Sequence, residues 1–198
     1  MSLNLLAKPS VVSWCYRPAT ADSLINTSDP KKLKVANQVE KDWARSILGG
    51  AGNQWTTQLC QEIVREVLIA IGRKNVRNGS LTKGSFGKKS YQPDLESDEF
   101  VYEVKGRSWT TPGTAGEKIL GVPLKYGELP ELLHKPLRII LVGYQEFEAR
   151  NHYAFGDLLD EANQTKQLND SLNYFSEHKI QYIGLTDLLK TVNQRLKT

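Results

Sequence analysis

The chain has 198 residues, 39% of them hydrophobic and 24% charged, with a formal net charge of +4 and an isoelectric point near 9.0. That length suits one compact domain with a buried core, and the composition is that of a globular chain, which excludes a disordered one. No stretch has membrane-spanning length, the opening Met-Ser-Leu-Asn-Leu-Leu-Ala-Lys lacks a secretory pattern, and Cys15 and Cys60 have neither zinc-ligand nor disulfide-framework spacing, so a cytoplasmic compartment is expected.

Residues 1–28 carry mixed short signals, among them Val11 to Tyr16 as a short strand ended by Arg17-Pro18. Asp29-Pro30 reads as an N-cap followed by proline in the first helical turn, and Leu33, Ala36, Trp43 and Ile47 keep a helical stripe as far as Gly49-Gly50. A second helix from about Asn53 to Ile71 buries Leu59, Ile63, Val64, Val67 and Ile71 and is stopped by Gly72. From Arg73 to Ser90 the chain holds Arg73, Lys74, Arg77, Lys83, Lys88 and Lys89 with no acidic residue, a basic loop that includes a short strand near Lys74 to Arg77. Tyr91 to Gly106 then alternates apolar and polar residues on either side of an acidic turn at Glu96 to Glu99, the pattern of an antiparallel hairpin.

Beyond the hairpin, Thr114 and Glu117 have capping-box spacing at the start of a helix that Gly121 and Pro123 interrupt, with a second piece from Glu128 to His134. Leu137 to Tyr144 is a continuous apolar run of the kind found in strands covered on both faces. A polar helical region from roughly Asp157 to Glu177, a strand from Ile180 to Ile183 and a helix from Leu185 to Leu196 close the chain. Gln145 and Glu146 read as an ordinary strand-end turn, and His134, His152 and His178 stand on unrelated elements.

The hairpin carries the candidate chemistry. Alternation places Glu103 and Lys105 on one face and Val104 on the other. A turn centred between Ser97 and Asp98 sets Asp94 opposite Val101 and diagonal to Glu103, whereas a register one residue different turns Asp94 away. Pro93-Asp94 followed by Glu103-Val104-Lys105 resembles the pattern of the PD-(D/E)xK nuclease superfamily, and the order helix, strand, strand, strand, helix, strand, helix, strand, helix is that of its restriction-endonuclease-like core. Trp109 to Gly121 is similar to a phrase in type II restriction endonucleases. The expected fold is therefore α/β, a mixed central sheet flanked by helices over residues 53–198, with a helical N-terminal extension over residues 1–52.

The resemblance assigns a Mg²⁺ ion to Asp94 and Glu103, and to Lys105 the placing of the attacking water or the stabilising of the phosphorane. Mg²⁺ takes one or two carboxylates with water and phosphate, so no histidine or cysteine is required. Neighbouring carboxylates favour the charged form of Lys105 while a bound cation disfavours it, which suits charge stabilisation better than proton abstraction. Relatives in the superfamily add an acidic residue from the preceding helix; Glu62, bordering the apolar stripe, is preferred to Glu66. Lys83, Lys88, Lys89, Arg107, Ser108, Trp109 and Thr110 are the candidate DNA contacts, since phosphate neutralisation supplies non-specific affinity and arginine and polar groups read base edges. The function expected is a Mg²⁺-dependent type II restriction endonuclease acting on double-stranded DNA as a homodimer, with the helix from Pro30 to Leu48 as a dimer surface. The alternatives are a repair or junction-resolving nuclease of the same fold and a non-catalytic nucleic-acid-binding protein. The same residues could also form nothing more than a surface hairpin with cross-strand ion pairs.

Overall fold

A computed structural model describes residues 4–16, 29–49, 55–85, 89–107, 119–151, 155 and 164–195. The expected strand at Val11 to Tyr16 is instead part of helix α1 (Pro9–Cys15), which has proline in its first turn. Val11, Trp14 and Cys15 are its buried residues, and their spacing of three and four places them on one helical face, which outweighs the β preference of paired valines. Helix α2 (Pro30–Leu48) begins where the Asp29 carboxylate accepts from the Lys31 amide at 2.9 Å. It ends at Gly49, whose φ of 64° lets the amide turn back to the Arg45 carbonyl. Helix α3 (Trp55–Ala70) buries Leu59, Cys60, Ile63, Val64, Val67 and Leu68.

Beyond α3 come the short strands β1 (Arg77–Asn78), β2 (Thr82–Lys83), β3 (Ser90–Tyr91) and β4 (Leu95–Glu96), then the longer β5 (Val101–Arg107). Helices α4 (Val122–Tyr126) and α5 (Leu129–Leu132) lead to β6 (Leu137–Gly143) and α6 (Tyr144–Asn151). Helix α7 (Lys166–Glu177), β7 (Ile180–Gly184) and α8 (Leu185–Arg195) follow. Gly121 is the N-cap of α4 and Pro123 lies in its first turn, as suits a residue whose missing amide is not needed there. Thr114 and Glu117 lie outside the described residues.

The protein is α/β, with a mixed central sheet of five strands in the order β1-β4-β5-β6-β7 and helices packed against it. β1, β4 and β5 are antiparallel; β5, β6 and β7 are parallel, which requires the helical crossovers between them. β2 and β3 form a separate small hairpin. Alternation along the central strands divides the core in two. Leu95, Tyr102, Val104, Ile140 and Val142 pack with α3 and with buried residues of α1 and α8. Val101, Leu137, Ile139 and Leu141 pack with Val122, Tyr126 and Leu129 from α4 and α5. Leu5, Val11, Trp14, Cys15 and Ala44 share the first of these clusters, so the N-terminal helices complete the core under α3. A Cβ built on Gly106 would come within 2.0 Å of the Cys60 sulfur, so β5 lies flush on α3 only because this residue has no side chain.

Candidate active site

The hairpin register differs from the expected one by two residues, and the difference brings the candidates closer. Leu95 pairs with Tyr102 and Glu96 with Val101, so the turn is centred between Asp98 and Glu99. Continuing this register sets Asp94 directly against Glu103 instead of diagonal to it. Because side chains alternate with a period of two, a two-residue shift leaves every residue on its expected face.

The turn is held in this position by its own side chains and by those of the segment before it. Ser97 is buried; its amide donates to the Phe100 carbonyl at 2.8 Å, and its hydroxyl lies 3.2 Å from that of Tyr102. Glu96 is buried too, accepting from Arg77 at 2.6 Å and from the Ser80 hydroxyl at 3.0 Å. Asp98 accepts from the Asn75 amide, and Glu99 pairs with Arg73. Two cations of the expected basic loop are therefore engaged within the protein: Arg73 and Arg77 neutralise the hairpin's own carboxylates.

Strand β4 stops pairing at Leu95, and the candidate site lies beside β5 from this point. The Asp94 carboxylate accepts from the Val104 backbone amide at 2.7 Å, taking the place of a backbone carbonyl. Its other oxygen accepts from the Gln61 side-chain amide of α3 at 2.7 Å. Glu103 is 3% exposed. One of its oxygens meets the Lys105 ammonium at 2.5 Å; the other, Oε2, is buried and makes no hydrogen bond of normal geometry, although the Tyr126 hydroxyl is close enough to Glu103 to act on it as a weak donor. Tyr126 and Lys125 of α4 complete the wall, with the Lys125 ammonium 3.0 Å from the Tyr126 hydroxyl.

These groups act on one another. Burial first, and the Asp94 charge next, hold the Glu103 carboxyl above its usual range although Lys105 opposes them. Burial also raises Asp94, against the lowering effects of the Val104 amide, Lys105, Gln61 and Lys125. Tyr126 is pushed up to about 12 by burial and then by the Glu103 carboxylate. Asp94, Glu103 and Lys105 thus meet in one notch, in which Glu103 is buried and the other two are partly exposed.

Of the other expected contributors, Glu62 is turned to Arg65 at 3.1 Å. Glu66 accepts from the Leu5 and Leu6 amides at 2.6 and 3.1 Å, tying the N-terminal segment to α3. The side chain that α3 sends to the carboxylates is Gln61, and its neutrality hid it from a search for acidic groups. Lys83 is exposed on β2. Lys89 bonds the Lys125 carbonyl at 3.3 Å and lies 4.9 Å over the Tyr91 ring, itself 6.1 Å from that of Tyr126, which brings it to the α4 wall. Lys88, Ser108, Trp109 and Thr110 lie outside the described residues, as does the Arg107 side chain. Gln145 and Glu146 form a buried helix start rather than a strand-end turn. Glu146 accepts from Arg150 at 2.8 Å, from the Thr186 amide at 3.0 Å and from the Thr186 hydroxyl at 2.5 Å, so it caps α8 and joins it to α6.

Comparison with protein-family models, with curated sequences and with solved structures yields no match in any of the three. The geometry of the notch carries the functional reading. Among the described residues no group of three or more His, Cys, Asp and Glu side chains gathers as a metal cluster. A pair of carboxylates with one oxygen making no hydrogen bond of normal geometry is a different kind of site. Its donors are hard oxygens, its carboxylates are crowded, and a small divalent cation that keeps part of its water shell fits it.

Proposed function

We propose that the notch is the catalytic centre of a Mg²⁺-dependent endonuclease of the PD-(D/E)xK pattern, acting on double-stranded DNA in the manner of a type II restriction enzyme. The observation that carries the proposal is the meeting of Asp94, Glu103 and Lys105 in one notch, with Glu103 Oε2 buried and making no hydrogen bond of normal geometry. Burying such an oxygen costs free energy, and a cation would offset that cost.

Asp94 and Glu103 would hold the metal, which supplies charge relief on the scissile phosphate and an acidified water. Lys105 is positioned by Glu103, so its ammonium can steady the developing negative charge or hold the attacking water. Gln61 and the Val104 amide fix the Asp94 carboxylate from two directions, leaving it little rotational freedom. Lys125 adds positive charge on the α4 side, where a phosphate would be drawn in.

Plasmid and phage DNA incubated with the protein, in Mg²⁺ and in chelator, tests this. Discrete, reproducible fragments with Mg²⁺ alone are the expected result. Cleavage confined to branched or damaged substrates would move the reading to a structure-specific nuclease, and binding without cleavage would leave a non-catalytic nucleic-acid-binding protein. Lys105→Ala should lower cleavage by at least 100-fold, in the range of a lost charge stabiliser, with binding retained. Normal cutting by that variant would place the chemistry elsewhere.

A further inference from the structure

The outer face of α2 carries a row of charge well outside the notch. At about 100° per residue, Lys31, Lys34, Gln38, Lys41 and Arg45 fall within roughly 80° of arc. All are exposed. Glu40 is on the same helix but turned inward, accepting from the Trp14 indole at 2.7 Å, and it does not neutralise the row. Asp42 borders the row and is engaged by Gln38 at 3.0 Å. Among the described residues Lys31, Lys34 and Lys41 have no ion-pair partner. From Lys31 to Arg45 the row runs about 21 Å along the helix axis.

We propose that this row binds the phosphate backbone of a nucleic-acid duplex and leads it to the notch. A polyanion with regularly spaced charges complements a straight row of cations on a rigid helix, with Gln38 available as a hydrogen-bond donor within it. The row also connects to the site. Its last member, Arg45, lies 5.5 Å over the Trp55 ring at the start of α3. Gln61, which grips Asp94, is about 9 Å further along that helix. An anionic membrane is the weaker partner, because Trp43, Ala44, Ile47 and Leu48 are packed inward and, among the described side chains, the apolar ones left outward on this helix are Val35 and Val39. This face was the sequence's candidate dimer surface, and a row of like charges suits a polyanion better than a second copy of itself.

The inference rests on the nuclease reading for its choice of substrate, and the test separates the two. Binding of a fluorescent 30-base-pair duplex is followed by anisotropy in chelator at several salt concentrations, for the wild type and for Lys31→Gln/Lys34→Gln/Lys41→Gln. The triple variant is expected to bind at least tenfold more weakly near 0.1 M salt, with the slope of log Kd on log salt smaller by about 3. A control substitution of the exposed Lys166 on α7 should leave the slope unchanged. Equal melting temperatures show that any loss is not unfolding. An unchanged slope in the triple variant, or a loss of binding to phosphatidylserine vesicles but not to the duplex, overturns the proposal. Salt-sensitive binding through the row without cleavage in Mg²⁺ sinks the nuclease reading and leaves the row standing. Cleavage by a triple variant that binds as the wild type does has the opposite meaning.

Discussion

At the scale of single residues, Glu103 is held under tension by its surroundings. Its carboxyl is raised by burial and by Asp94, so the folded state binds that proton more tightly than the unfolded chain. Unfolding free energy from this group is then fully favoured in acid and is lost as the pH climbs from the ordinary carboxylate range through the raised value. Glu103→Gln removes the ionisable group while an amide oxygen can still receive Lys105. Without divalent metal, the variant is expected to be more stable than the wild type at neutral pH by roughly 1 kcal/mol, with the gap closing below about pH 4. Urea titrations across pH would measure it; a variant less stable at every pH contradicts this balance. Gln61→Ala frees one side of Asp94 and should weaken divalent-metal affinity by about 10-fold or more, read by calorimetry, while the fold is retained.

At the scale of elements, the contact between β5 and α3 sets where the hairpin can sit. Gly106→Ala would drive a methyl into the Cys60 sulfur and should destabilise the protein by about 1–3 kcal/mol. Cys60→Ala in the same chain relaxes the closest approach from 2.0 to 3.0 Å, so the double variant should recover part of that loss. Additive losses in a double-mutant cycle would show that the two do not share the contact. The sequence displayed the faces of these elements better than their junctions. Period-two alternation from Val101 to Lys105 and the apolar run at β6 name the buried faces directly. The turn centre depended on Ser97, Glu96 and Arg77 finding partners across the chain, which no local pattern displays. α1 shows the same limit, since Val11-Val12 looks extended until Trp14 and Cys15 are seen to share a face with Val11.

At the scale of the whole molecule, one buried carboxylate ties two helices together. Glu146 joins α6 to α8, and a Cβ on Gly184 would strike its carboxylate at 2.2 Å. Glu146→Ala leaves the Thr186 amide unsatisfied and Arg150 with Asp187 alone among these acceptors, at 2.6 Å. A loss of about 2–3 kcal/mol is expected, with duplex binding unaffected in the protein that remains folded. The residue is three positions past the apolar strand β6, where a sequence offers no sign of the helix it will cap. The acidic and basic members of the notch were legible because their chemistry is written in their side chains. Gln61 and Tyr126 were not, being ordinary residues given their position by α3 and α4.

The bond from the Val104 amide to Asp94 gives the protein a built-in spectroscopic reporter. An amide proton donated to a carboxylate is strongly deshielded, and its resonance moves when that carboxylate gains a proton or shares its electrons with a cation. In an isotope-labelled sample the Val104 cross-peak should shift upfield as divalent metal is titrated in, at a concentration that tracks loading of the notch. Occupancy could then be followed in a protein that has been given nothing to cut.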